Sequence, residues 1–250
     1  MTLLVIGRYY ALKWSLQDYP KNSVLPSISP QVSALAPGFR ALSIDVVSAA
    51  VRAPMVGSDA LRSACQAVIA GEPQWAEAHL QAWNEVFRAF GAKPKRTPCS
   101  AEALRRRVLR DGEMAAIDPI VDLYNAVSLR YAVPVGGENL AAYVGAPHLK
   151  LADGSEPFDT VKEGQIVHEY PDAGEVVWGD DRGVTCRRWN WRQGVRTRLS
   201  VESPRMWFIL ESLPEMPLSA LQEAGEMLSN GLLEMMPEAT IRSQLIGPGA

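Results

Sequence analysis

Two stretches carry residues whose types and spacing suit binding or hydrolytic chemistry. In the first, Asn125 and Ser128 stand three apart, and Pro134, Gly136, Gly137 and Asn139 follow closely. Residues three apart share a helix face, so the amide and the hydroxyl meet on one stripe beside Val121. Asn and Ser are indifferent helix formers, and an apolar neighbourhood makes them costly unless they find partners. Patterning alone leaves two readings open: they bind substrate, or they tie down a neighbouring backbone.

The second stretch is Gly183 to Arg192. Read as one strand, it sets Cys186, Arg188, Asn190 and Arg192 on one face and Trp189 with Trp191 on the other. Paired tryptophans are more often core than a platform for stacking bases. The polar face is then a binding surface inside a cavity or an exposed ladder of arginines.

Other chemistry is missing from the sequence. There is no G-x-S-x-G elbow, H-E-x-x-H, phosphate loop or dinucleotide fingerprint. The three histidines, His79, His148 and His168, are too scattered for a metal site, and no cofactor is expected. His79 lies on an apolar helix face with Trp75 and Trp83, where a hydrogen-bonded core residue is the commoner outcome. The cysteines, Cys65, Cys99 and Cys186, form no C-x-x-C and suggest neither disulfides nor a zinc ribbon, which fits a reducing cytoplasm.

The net charge of −3 argues against a general nucleic-acid coat and hides an asymmetry. Arginines crowd into 105–110 and 182–205. Acidic residues, among them Glu211, Glu215, Glu223, Glu226, Glu234 and Glu238, fill the last forty positions. Local basic patches on an acidic protein suit one RNA met at one place, whereas solvated charge is the plainer reading. No apolar run approaches a membrane span or a signal peptide.

The elements that must position these residues follow from periodicity and punctuation. Pro20, Pro26, Pro30 and Pro37 mark an irregular beginning. Phe39 to Val47 alternates as a strand. Helices are expected from Ser58, as N-cap, to about Ala70, and around Trp75, Leu80, Trp83 and Phe87. A basic loop, Lys93 to Pro98, precedes a helix capped by Ser100. Asp118-Pro119 opens another helix, with Asp as cap and Pro pre-shaped for the first turn. Beyond His148 the pattern turns to strands: a hairpin turn at Asp153-Gly154, then Ile166 to Tyr170, Glu175 to Trp178, Val184 to Arg192, and Met206 to Leu210. An amphipathic helix spans Leu218 to Met235. This order predicts an α+β fold.

Both stretches resemble the editing module formed by the B3 and B4 domains of the phenylalanyl-tRNA synthetase beta subunit. Asp122, Asn125, Val127 and Pro134 are in register with its motif. Ser128-Leu129, Pro134-Val135-Gly136-Gly137 and Cys186-Arg187-Arg188-Trp189-Asn190 look like the free-standing relatives of that module. The resemblance spans about residues 28 to 235. It implies a β-sandwich-like core of two sheets flanked by helices, one B3/B4-like domain over 28–245, and an N-terminal extension over 1–27.

The resemblance further implies a trans-editing aminoacyl-tRNA deacylase, hydrolysing the ester of mischarged tRNA. Such second-site editing arises because one pocket cannot adequately reject near-isosteric amino acids. On this reading Asn125 and Ser128 are catalytic. Pro134, Gly136, Gly137, Asn139, Arg188, Asn190 and Arg192 bind substrate. Lys93, Lys95, Arg96, Arg105, Arg106, Arg107 and Arg110 contact tRNA phosphates. Neither membrane nor DNA is an expected partner. Gly136 stands where the synthetase has a histidine, Asn139 replaces an aspartate and Arg130 an acidic residue, so specificity for tyrosine does not carry over. Without that histidine, a free ribose hydroxyl of the terminal adenosine is the group expected to assist. Two other functions fit the same residues: a non-catalytic tRNA-binding module, and a small-molecule binder of amino-acid derivatives that reuses the pocket.

Overall fold

The architecture comes from a computed structural model that describes residues 25–247. The expected extension, 1–27, therefore lies almost wholly outside the described residues. Its last residue, Ser27, does not: it pairs with His148 and belongs to the first sheet.

The chain begins with β1 (Ser27–Ile28), α1 (Pro30–Leu35), β2 (Arg40–Val47), α2 (Met55–Ile69), α3 (Ala76–Ala89) and α4 (Ser100–Asp111). Next come α5 (Pro119–Tyr131), β3 (Val135–Asn139), β4 (His148–Leu151), β5 (Phe158–Lys162) and β6 (Gln165–Glu169). The rest is β7 (Val176–Asp180), β8 (Gly183–Arg187), β9 (Arg192–Gln193), β10 (Arg205–Ser212), α6 (Leu218–Met235) and β11 (Thr240–Ile246).

Two sheets form. One has four strands in the order β11-β2-β10-β3; the other runs β1-β4-β7-β8-β5-β6, with β9 added to β8. β10 is the hinge of the four-stranded sheet, antiparallel to both β2 and β3. Its residues alternate, as a strand must. Met206, Phe208 and Leu210 meet α5 and α6, while Trp207 and Ile209 meet Leu149, Val176 and Trp178 of the other sheet. The protein is thus an α+β sandwich with helices on the outer face of the smaller sheet. α3 inserts Trp83 and Phe87 between the sheets.

Helix α5 starts as its sequence dictates. The Asp118 carboxylate accepts hydrogen bonds from the Ile120 and Val121 N–H groups, at 2.9 and 3.2 Å. Proline occupies the first turn, where its missing N–H costs nothing. The helix ends at Ala132, which turns into the left-handed region at φ 49°.

Four local expectations are corrected. Ser58 does not cap α2. It lies inside the helix, which begins at Met55, and its hydroxyl donates to the Met55 carbonyl. Ser100 is the first residue of α4 rather than its cap, which is Cys99. Asp153-Gly154 is no hairpin turn, because β4 pairs with β7 and β5 with β6. Early prolines did not prevent regular structure either: Ser29 caps α1 and Pro30 opens it.

Packing of α2 on α5 is close enough to predict a sign reversal. Alanine favours a helix over glycine by about 1 kcal/mol. A β-carbon at Gly57, however, would stand 2.1 Å from the Pro119 carbonyl oxygen. Gly57→Ala is expected to cost about 2 kcal/mol or more, read as a lower urea midpoint. A midpoint equal to or above the parent's would show that the two helices part freely.

Candidate functional site

The interior between the sheets is polar at its centre, and Glu211 organises it. This carboxylate is 1% exposed. One oxygen accepts from the indole N–H groups of Trp178 and Trp189, both at 2.9 Å, and the other from the Asn190 amide at 3.0 Å. Burial outweighs these hydrogen bonds and pushes its pKa up to about 7. In the sequence Glu211 belongs to an acidic run whose plainer reading is solvated charge. Its alternation with Trp207 and Ile209 along β10 was the signal that it points inward.

Edge strand β3 supplies the second carboxylate. Gly136 pairs with Ile209 and Glu138 with Trp207, so both face the other sheet, whereas Gly137 faces α5. Glu138 is 4% exposed. It accepts a very short hydrogen bond from the Tyr143 hydroxyl, which lies 3.1 Å from Thr185 Oγ1. Burial raises its pKa to about 7, against the stabilising pull of Tyr143, the nearby threonines and Arg196. The Thr197 hydroxyl beside it is buried and lacks a well-formed hydrogen bond.

Gly136 and Cys186 are both half-buried on the faces that look at each other, and Gln193, paired with Cys186, donates to the Gly137 carbonyl at 2.7 Å. A β-carbon on Gly136 would press on Ile209 Cγ2 at 3.2 Å and meet no other atom within 4 Å. Gly137 is more tightly enclosed, since a β-carbon there would press on Tyr124 and Phe208 at 3.0 Å. The Cys186 thiol is pushed well above its ordinary pKa, first by burial and then by Glu138 and Glu211. It is no thiolate nucleophile.

The stretch read as one strand is a hairpin. β8 ends at Arg187, Arg188 and Trp189 take positive φ of 47° and 65°, and β9 returns from Arg192. Side-chain alternation therefore breaks at Arg188. Trp189 is buried against Phe39, Trp83 and Phe90, whereas Trp191 is half-buried beneath the Arg188 guanidinium, 4.6 Å from its ring centre. Asn190 turns inward to Glu211, with its amide oxygen buried and unpartnered. Arg192 donates to Thr160 at 2.6 Å.

Beside this turn opens a groove of about 560 Å³, lined by Lys93, Arg96, Asp172, Glu175 and Arg188 among others. Two predicted sets thus meet here, the basic loop and one arginine of the hairpin. Lys95 lies exposed on the same loop.

Several predicted residues lie elsewhere. Ser128 is 1% exposed and donates to the Val133 carbonyl at 2.7 Å, fastening the end of α5; the backbone reading holds for it. Asn125 is half-buried on α5, which covers the outer face of the smaller sheet. That sheet stands between α5 and Asn190, so Asn125 and Asn190 do not converge as expected, and the two stretches meet only through the inner face of β3. Pro134 is buried and its carbonyl accepts from the Glu211 N–H, while the Asn139 side chain caps the turn at Leu140–Ala142.

Arg105 departs from the phosphate-binding expectation. It is buried, donating at 2.9 and 3.0 Å to the Glu72 and Leu129 carbonyls. Arg106 pairs with Glu102 and Arg110 with Asp111, and Arg107 is exposed. His79 bridges the Ala132 carbonyl and the Leu213 N–H and is held neutral by burial, its pKa down to about 4. Among the described residues no cluster of acidic, histidine or cysteine side chains could hold a metal, and no helix is long and apolar enough to cross a membrane.

Fold and site together define an α+β sandwich domain with a carboxylate-lined interior and a basic groove. The B3/4 domain family model matches residues 82–224, more than half of the sequence, and the chain belongs to that family. Among solved structures, the chain is similar to an N-terminal fragment of the phenylalanyl-tRNA synthetase beta-subunit from Pyrococcus horikoshii, at 9% identity and a TM-score of 0.48. The match covers 90% of this chain and 52% of that one, so this chain spans about half its length. No curated protein sequence matches the chain.

The raised carboxylates fix a pH dependence. Glu138 and Glu211 hold protons in the folded state up to about pH 7, whereas the unfolded chain releases them near 4.5. Their contribution to stability is complete below that lower value and is lost as pH rises through about 7. In Glu211→Gln the Asn190 amide can turn its free oxygen to the new donor, and no proton is lost. Between pH 5.5 and 8 the parent's melting temperature should fall by on the order of 5 °C more than the variant's. Parallel curves would remove Glu211 from the pH account.

Proposed function

We propose that this chain binds the aminoacylated 3′ end of a tRNA and hydrolyses the ester that holds the amino acid. Membership of the B3/4 family and the motif resemblance at Asn125, Pro134 and Cys186 to Asn190 support the RNA side of this reading. The observation that carries the chemistry is the buried Glu138 carboxyl, raised to about 7, on the same inner face of β3 as Gly136.

An ester carbonyl seated there meets a site without a strong nucleophile, so water must attack. The attacking oxygen bonds to the carbonyl carbon and yields its proton to the Glu138 carboxylate. The bond from that carbon to the ribose oxygen breaks, and the proton passes to the departing ribose oxygen. Tyr143 holds Glu138 in place by its hydrogen bond. A group with a pKa near neutrality suits both halves of this exchange. The neighbouring ribose hydroxyl can relay the proton. A terminal adenosine lacking that hydroxyl then reacts slowly.

The experiment is incubation with a panel of aminoacyl-tRNAs. Deacylation should rise with pH to a plateau above about 7, because the carboxylate must be ionised to accept a proton. Glu138→Gln should slow it by about 100-fold or more with tRNA affinity kept. Equal rates for the two proteins would end the role of Glu138.

A second reading, binding without turnover, is favoured by the engagement of the Ser128 hydroxyl within the fold. Tight binding of every charged tRNA with no ester loss would establish it. Neither binding nor loss would point instead to a small amino-acid derivative as the ligand.

A further inference from the structure

The groove beside the hairpin turn has a construction that the ester chemistry does not use. Three cations border it: Lys93, Arg96 and Arg188. Cations elsewhere commonly have acidic partners, as Arg106 has Glu102, Arg196 has Asp180 and Arg205 has Asp45. Lys93 and Arg96 are exposed on the loop after α3, and their side chains form no ion pair among the described residues.

Arg188 is the most elaborately placed of the three. Left-handed backbone at a non-glycine residue costs on the order of 1 kcal/mol, and such strain persists only where surroundings impose it. Here two successive residues adopt it. The following Trp189 is locked by its ring packing and by its N–H, which donates to the Val176 carbonyl. Glu175 accepts from the Arg188 N–H at 3.0 Å while gripping the Arg187 guanidinium through both oxygens at 2.7 Å. The Arg188 guanidinium forms an ion pair with Glu175 at 3.7 Å and lies over Trp191. It is oriented by this pair and by stacking, and its N–H donors make no hydrogen bond among the described residues.

A planar guanidinium whose donors are not hydrogen-bonded, flanked by two long cationic side chains, suits a phosphate group. The volume, about 560 Å³, lies in the range of small-ligand pockets. Asp172, on the acidic wall, is exposed and accepts hydrogen bonds, which suits a ribose hydroxyl rather than a second phosphate.

We propose that this groove is an RNA-backbone subsite, in which Lys93, Arg96 and Arg188 hold a phosphodiester and Asp172 takes the adjoining ribose 2′-hydroxyl. The assignment rests on the tRNA reading above and deepens it. It moves Arg188 from the aminoacyl pocket to the strand that leads there. Glu175 is its positioning residue.

The test is fluorescence anisotropy with a labelled single-stranded RNA ending in adenosine, its DNA counterpart, and inorganic phosphate as competitor, across a salt series. Arg188→Gln should weaken RNA binding about tenfold and lower the slope of log affinity against log salt by about 0.7, the value of one phosphate contact on a single strand. Lys93→Ala with Arg96→Ala, confined to an exposed loop, should lower it further, with thermal melting confirming that each variant folds. Asp172→Asn should leave DNA binding alone and shrink the preference for RNA. Unchanged slopes in both cation variants would overturn the subsite even if the protein deacylates tRNA. Inorganic phosphate displacing RNA at stoichiometric concentration would overturn the strand assignment in favour of free phosphate. A parent protein that binds no RNA, charged or uncharged, would instead remove the tRNA reading itself.

Discussion

The two sheets are joined at their centre by one buried carboxylate. Glu211 rises from β10 and takes hydrogen bonds from Trp178 on β7, and from Trp189 and Asn190 in the β8–β9 turn. A buried acid with a single partner would be costly, but three N–H donors replace much of its lost hydration. The remaining cost is visible as the raised pKa. Removing Asn190 would leave one carboxylate oxygen without a partner, whereas either indole alone still serves the other. This interaction ties β10 of one sheet to β7 and the β8–β9 turn of the other.

The hairpin turn answers to the same carboxylate and gives the molecule two working sides. Trp189 and Asn190 point inward to Glu211, while Arg188 points outward to the groove. A regular strand would alternate these residues across one sheet and could not divide them so. Two consecutive left-handed residues make the division possible, and Glu175 supports them from beneath. The interior and the groove are therefore coupled through one short loop. A change that relaxes the loop would disturb both.

Much of the frame was legible in the sequence, because local rules govern it. Helix α6 follows its apolar periodicity, α5 its Asp-Pro start, β2 its alternation and β10 its nearly continuous apolar run. The site was harder to read. Cys186, Arg188, Asn190 and Arg192 satisfy a two-residue period as well as any strand, and positive φ at Arg and Trp leaves no mark in composition. Arg105 shares its segment with exposed arginines, and only the carbonyls of Glu72 and Leu129, distant in sequence, draw it inside. Ser128 was ambiguous for a like reason: its partner, the Val133 carbonyl, exists only once the chain has turned at Ala132.

The exchange of residues along β3 has a consistent physical logic. Gly136, where the related motif carries a histidine, removes a side chain from the inner face of an edge strand. Two residues on, the same face carries Glu138, which in the proposed reaction accepts the proton. The carboxyl differs from an imidazole in kind, since burial must raise it to neutrality where a histidine begins there. That requires burial away from bulk solvent, and Trp207, Tyr143 and Trp178 supply it through edge-on packing at 5.3 to 6.0 Å. Wetting the interior would return Glu138 to an ordinary carboxylate, ionised but a weak base. The aromatic packing that joins the sheets is thus also what holds the Glu138 carboxyl near a pKa of 7.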